Sequence, residues 1–192
     1  PVDMNKIYGA LYNQALKGDA DCGGLMAYNY ISGEPITGLV EGAPLFVRRA
    51  SDKFNLANFM RANLYASIAV LKIGNDLLFN DEKVTVDRIT GHGGLFKTPV
   101  VGQRILAAAL NSPITVMETA GEGGAWGIAL LAAYTVSNEE GLTLPCYLNK
   151  KVFNNFVGTT LDPVPADVEG FNEYIKTYVE CLPIEKKAVE VK

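Results

Sequence analysis

Long apolar runs, basic surface and histidine are all scarce in this sequence, and each scarcity removes a class of function. No stretch reaches the roughly 18 consecutive apolar residues of a membrane span. The first residues include Asp3 and Lys6 where a secretory signal would be basic and then greasy. No membrane partner is expected on that reading, and the chain reads as cytoplasmic. Cysteine occurs three times, at Cys22, Cys146 and Cys181. These are odd in number and too far apart for a zinc site, which suits free, buried thiols in a reducing compartment. Basic residues are outnumbered by acidic ones, 17 to 21, and the pairs Arg48-Arg49 and Lys150-Lys151 make no basic stripe. Nucleic acid is therefore not an expected partner. His92 is the one histidine, and no Gly-x-Ser-x-Gly elbow exists with which it could complete a triad. A structural role beside a buried strand end is its expected one. Solenoid repeats and low-complexity tracts are also absent.

What is present is a globular composition. The 192 residues are 48% apolar and 20% charged, long enough to bury roughly 70% of the unfolded surface in one core, so one domain with a tail is expected. Asp3 is placed to cap a helix with apolar positions Met4, Ile7, Tyr8, Leu11 and Ala15, ended by Gly18. Leu25 to Ile31 and Leu45-Phe46-Val47 read as buried strands, joined through a surface hairpin or loop from Gly33 to Gly42. From Asn55 the period lengthens, and Leu56, Phe59, Met60, Leu64, Ile68 and Leu71 predict a long helix to about Leu78. Ser137 to Lys151 reads as a loop. Asp162-Pro163-Val164-Pro165 introduces a helix that docks through Val168, Phe171, Ile175, Tyr178 and Leu182 and stops at Pro183, leaving Lys186 to Lys192 as a solvated end.

Between these parts lie two strand, glycine turn, helix units in succession. Val84, Val86 and Ile89 lead as a strand into Gly91-His92-Gly93-Gly94-Leu95-Phe96-Lys97-Thr98-Pro99, where Thr98 is placed as an N-cap and Pro99 as a first helical residue. Ile114-Thr115-Val116-Met117 leads into Glu118-Thr119-Ala120-Gly121-Glu122-Gly123-Gly124-Ala125-Trp126-Gly127 and a second helix. Alternating strands and helices imply a mostly parallel sheet with both glycine loops on one edge. Glycine lets backbone N–H groups approach a ligand, and a helix N-terminus behind them favours an anion, with phosphate as the natural guest. The stricter phosphate motifs do not fit. Phe96-Lys97-Thr98 stands where a P-loop has Gly-Lys-Ser/Thr, and neither glycine pair finds the third glycine of a dinucleotide fingerprint.

Four segments taken in order resemble the C-terminal nucleotide-binding domain of the FGGY carbohydrate kinases. Gly93-Gly94-Leu95-Phe96-Lys97-Thr98-Pro99 resembles the family's Gly-Gly loop. Glu122-Gly123-Gly124-Ala125-Trp126-Gly127-Ile128-Ala129-Leu130-Leu131-Ala132-Ala133 resembles its closing helix. Tyr30-Ile31-Ser32-Gly33-Glu34-Pro35 is similar to its Tyr-Leu-Ser-Gly-Glu-Arg segment, with Asn29 in place of a proline and Pro35-Ile36 in place of Arg-Thr. Phe59-Met60-Arg61-Ala62-Asn63-Leu64 fits the start of its long helix.

The resemblance implies an actin-like ATPase (ribonuclease H-like) α/β fold, a mixed sheet with helices on both faces plus a C-terminal helical tail. The implied division is a linker helix over 1–20, a nucleotide-binding domain over 21–136 and an extension over 137–192 packing on that domain. It implies ATP with Mg2+ as the cofactors, and nucleotide contacts from Gly93, Gly94, Lys97, Thr98 and Arg49. For Glu122 it implies a role in organising the loop or a metal-water shell, against the plainer reading of a favourable charge in a first helical turn. Trp126, where relatives carry a small residue, is expected to pack. The implied activity is γ-phosphoryl transfer from ATP to a hydroxyl of a ketopentose such as xylulose or ribulose, with sugar and catalytic base supplied by an N-terminal domain outside these residues. Two alternatives stand beside it: a non-catalytic actin-like switch that keeps the nucleotide site, and an assembly module, the chain itself as a homo-oligomer included among its partners.

Overall fold

The structure, a computed structural model, describes residues 3–118, 123–137, 141–154 and 158–191. Helix α1 spans Met4–Ala15, and the Asp3 carboxylate caps it by accepting from the N–H groups of Asn5 (3.0 Å) and Lys6 (3.4 Å). Its apolar stripe is covered only toward the C-terminus, where Ala15 is buried while Met4 and Tyr8 stay half exposed. Strands β1 (Met26–Tyr28) and β2 (Leu45–Val47) form an antiparallel pair, Ala27 opposite Phe46.

Helix α2, Leu56–Asp76, starts as its period predicts and is capped by Asn55, whose side chain accepts from the N–H of Asn58. Of the predicted stripe Leu64 and Ile68 are buried, with Phe59 and Met60 against the core, but the buried face also extends to polar positions. Asn58, Arg61, Ala62, Tyr65 and Ala69 are inside, whereas Leu56 and Leu71 are 53% and 45% exposed. Two polar side chains can sit there because both are saturated. Asn58 accepts from the N–H of Asp19 and donates to the Lys53 carbonyl, and Arg61 donates to Asp167, Tyr65 and the Gly18 carbonyl.

The second sheet is mixed. Strands β3 (Ile89–Gly91) and β4 (Ile114–Met117) are parallel, and β5 (Gly158–Leu161) lies antiparallel on the far side of β4, giving the order β3-β4-β5. The sequence pattern shows neither β5, which is half threonine and follows no apolar run, nor the late start of β3, since Val84 and Val86 stand exposed in irregular chain. Helix α3, Val101–Leu110, crosses from β3 to β4 with eight buried residues.

After helix α4 (Gly123–Ser137), the predicted loop contains a short helix, α5 (Leu144–Tyr147), that runs into a wider turn. Helix α6, Pro165–Glu180, docks as expected through Phe171 and Tyr178, joined by Asp167, Gly170 and Tyr174. Pro183 does not end the chain's helical part. It sits in the first turn of α7, Leu182–Val189, where its missing N–H costs nothing. The expected solvated end is therefore a helix, and its Glu185 is fully buried, accepting from the N–H of Ala43 at 2.8 Å.

The core joins the two sheets through α2, α3 and α6. Tyr65 packs on Phe171 (4.6 Å between ring centroids) and Tyr28 on Tyr178 (4.5 Å). Each hydroxyl finds a partner: Tyr28 donates to the Tyr178 carbonyl, and Tyr174 to that of Ala62. Among the cysteines Cys22 is buried, Cys181 half-buried and Cys146 exposed, and all three thiols are free. Among the described residues no helix is long and apolar enough to cross a membrane.

Candidate nucleotide site

Parallel pairing of Thr90 with Thr115 and Gly91 with Val116 puts the C-terminal ends of β3 and β4 side by side. The two glycine segments consequently start from one edge. Gly123 opens α4 directly against the first of them, since a Cβ there would lie 3.1 Å from the His92 Cβ.

The first loop is a tight structure. Gly93 holds φ 107°, a value that L side chains rarely adopt, and Gly94–Lys97 form one 3-10 turn closed by the Phe96 N–H on the Gly93 carbonyl at 3.1 Å. Thr98 does not cap α3. It is extended (φ −91°, ψ 110°), as the residue before a proline prefers, and ends the 3-10 turn instead. Val100 takes the position ahead of the helix with φ 72° and no side-chain cap. That conformation costs a β-branched residue about 1–3 kcal/mol, and it persists because Val101 and Gly102 behind it are buried. A Cβ on Gly102 would approach the Leu95 carbonyl to 2.8 Å.

The loop glycines divide into two kinds. Gly91 is glycine because Phe96 lies over it: a Cβ there would be 2.4 Å from the ring. Phe96, standing where a P-loop would carry a glycine, thus closes the loop onto the strand end. Gly93 and Gly94 are different, because among the described residues no atom beyond their chain neighbours lies within 4 Å of a Cβ added at either. Gly94 also lacks a left-handed φ. Among the described residues neither packing nor backbone conformation requires glycine at 94, and none of them fills the space above it. Lys97 is exposed at the end of the same turn and Thr98 is half-buried, so Gly93, Gly94, Lys97 and Thr98 do share one short loop.

Arg49 lies elsewhere, on the segment after β2, exposed and ion-paired to Asp52 at 3.2 Å. It borders a pocket of about 160 Å³ with Asp21, Gly24, Glu173 and Thr177, on the side of the first sheet. Glu122 falls outside the described residues. His92 is exposed and lines a cleft of about 290 Å³ with Trp126, Leu130, Leu148 and Phe153. Trp126 meets Phe153 edge to face at 5.7 Å, so it packs against the extension, as its size predicts.

Sequence reasoning missed the residues that hold the loop's helix in place. Gln103, 5% exposed, donates from one amide nitrogen to the carbonyls of Ile114 on β4 (3.1 Å) and Thr159 on β5 (2.8 Å). Arg104 and Arg61 both donate to Asp167, one to each carboxylate oxygen, at 2.5 Å. Burial pushes the Asp167 carboxyl up, but the bonds from Arg104 and Arg61 outweigh it and hold the group below its ordinary value. The one available signal was Gln103 itself, a lone amide in an apolar helix.

The profile of the FGGY family of carbohydrate kinases, C-terminal domain, matches residues 5–136, more than half of the chain and all four segments singled out above. Similar solved structures include gluconate kinase from Lactobacillus acidophilus, with 18% identity over 95% of this chain and a TM-score of 0.69. The ligand-bound xylulose kinase from Lactobacillus acidophilus shares 20% identity over 91% (TM-score 0.66). Plasmodium falciparum glycerol kinase with ADP shares 17% over 92% (TM-score 0.63). The chain spans 35%, 34% and 33% of those three chains, about a third of each. No curated protein sequence matches it. The fold is the actin-like ATPase type of these kinases, and by the match over residues 5–136 the chain belongs to the FGGY family of carbohydrate kinases, carrying its C-terminal domain.

Proposed function

We propose that this chain holds the nucleotide of a sugar kinase, one that transfers the γ-phosphoryl group of ATP to a hydroxyl of a ketopentose-type sugar. The observation that carries the reading is the space over Gly94, which no described residue fills and where, among the described residues, a glycine has no structural reason to be. A phosphate there takes backbone N–H groups of the loop, with Lys97 and Thr98 beside it and the first turn of α3 behind. Arg49, from the segment after β2, and Glu122 remain proposed contributors. Among the described residues no three carboxylate, histidine or cysteine side chains converge on a point. The Mg2+ in this reading therefore arrives on the nucleotide's phosphates, its usual mode. When bound, MgATP supplies the phosphoryl group, and this chain's part is to position it and balance its charge. Neighbours named as xylulose kinases support a ketopentose, and a glycerol kinase solved with ADP supports the nucleotide. The base and most sugar contacts are assigned to a further domain, for which those chains, about three times as long, have room.

Titration calorimetry with MgADP, alongside a coupled assay on xylulose and ribulose, tests both halves of the reading. Binding without sugar-dependent turnover is expected. Turnover by these 192 residues alone would overturn the division of labour, and absence of any MgADP binding would overturn the nucleotide site. Binding that a full-length kinase context never converts into sugar phosphate would favour the non-catalytic switch.

A further inference from the structure

The anchors of α3 have a consequence for the loop that precedes it. The first turn opens with backbone N–H groups that have no partner inside the helix, those of Val101, Gly102 and Gln103, whereas the Arg104 N–H already donates to the Val100 carbonyl at 2.8 Å; in the proposed reading the open groups face the phosphate. That turn is fixed at two consecutive residues. Gln103 is tied to β4 and to β5 through the carbonyls of Ile114 and Thr159. Arg104 is tied to α6 through Asp167, which is itself held by Arg61 of α2. Arg61 is fixed in turn by the Tyr65 hydroxyl and the Gly18 carbonyl. Both partners outside the βαβ unit, Thr159 and Asp167, come from the segment after residue 136, beyond the part matched by the family profile. The residue ahead of that turn, Val100, holds φ 72°, a conformation a β-branched residue keeps only where its surroundings hold it.

We propose that the C-terminal segment from β5 through α6 is a positioning element of the glycine loop, acting through Gln103 and through the Arg104–Asp167–Arg61 bridge. These are positioning residues: none is assigned contact with the ligand. The inference rests on the nucleotide reading above for its functional consequence, while the mechanical coupling stands on the hydrogen bonds alone.

The test uses the full chain and three variants: Gln103→Met, which keeps volume and removes the amide; Arg104→Gln, which frees α3 while leaving Asp167 paired to Arg61; and Arg104→Lys as the conservative partner. Tyr178→Phe, which removes one buried hydroxyl bond to Tyr30 far along α6, is the stability control. Affinities for magnesium pyrophosphate and MgADP are measured well below every variant's melting point, and amide exchange is followed over residues 91–104. Gln103→Met and Arg104→Gln are expected to bind both probes about tenfold more weakly and to exchange faster over the loop. Arg104→Lys should recover most of the loss, and Tyr178→Phe should change neither readout. Unchanged affinity and exchange in folded Gln103→Met and Arg104→Gln would overturn the proposal, as would an equal loss in Tyr178→Phe. Should the parent chain bind neither probe, the nucleotide reading falls, and the exchange data still decide whether the segment holds the loop.

Discussion

Replacing Gly94 by alanine separates a ligand site from a turn. The structure sets the expected magnitude on the stability side. Among the described residues the added methyl meets nothing within 4 Å beyond its chain neighbours, and the backbone is outside the left-handed region. Folding should therefore be unharmed, and reduced freedom of the unfolded chain should stabilise by about 0.4–1 kcal/mol. On the binding side the methyl enters the open space assigned to the phosphate, so MgADP affinity should fall while the urea midpoint holds or rises. Neighbouring positions give internal contrasts. Gly93→Ala strains a φ of 107° and should cost about 1–3 kcal/mol, and Gly91→Ala drives a methyl into the Phe96 ring. Thr98→Ala loses no helix cap, because Thr98 is not one, and should change stability by no more than about 0.5 kcal/mol. Calorimetry for affinity and urea melts for stability, run on all four, suffice. If Gly94→Ala binds MgADP as the parent does, the open space is not where a phosphate lies, and the nucleotide reading rests on family membership alone.

Asp167→Ala leaves Arg61 buried without its counter-ion and frees Arg104, and should cost about 3–5 kcal/mol in urea melts; a loss under about 1 kcal/mol would mean the bridge contributes little. Asp167 is also an acid-stability residue: with its folded pKa depressed, the stability it contributes is present above its ordinary value and is lost as pH falls through the folded one. Glu185 has the opposite sign. Burial raises its pKa against the opposing bond from the Ala43 N–H, and its second oxygen finds no partner among the described residues. Its contribution is therefore full below the ordinary value and lost as pH rises through the folded pKa. Glu185→Gln should raise the neutral-pH urea midpoint and flatten its pH dependence, and a lowered midpoint would refute this. Finally, α4 carries no charged residue, and Ile128 and Val136 are 70% and 83% exposed, a pattern that calls for a covering surface. Light scattering should show concentration-dependent self-association, relieved by Val136→Lys, and a clean monomer would count against it.

How far the site was legible follows from where each residue's reasons lie. Asp3 and Asn55 cap helices by reaching two or three residues along the chain, and so their sequence positions suffice to identify them. Thr98 has the same chemistry, yet it does not cap. The 3-10 turn made by Gly94–Lys97 and the conformation that Pro99 imposes on it had already set its backbone. The loop glycines were visible as glycines, but only the structure separated Gly91, held by Phe96, from Gly94, over which no described residue packs. Arg61 was visible as a motif residue, whereas its burial on the core face of α2 depends on a carboxylate 106 positions later.

The sequence by itself determined the helix periods, the two short strands, the strand–glycine–helix order and, through four short motifs, the family. Each is carried by local spacing or by residues whose effect ends within a turn. Tertiary structure alone decided the polar part of the buried face of α2, the existence of β5, the burial of Glu185 and the anchoring of α3. In each case a polar or weakly patterned residue is stabilised by a partner distant in sequence, such as Tyr28 with the Tyr178 carbonyl 150 positions away. A buried polar group is favourable only when that partner is in place, and a linear pattern does not contain the pairing.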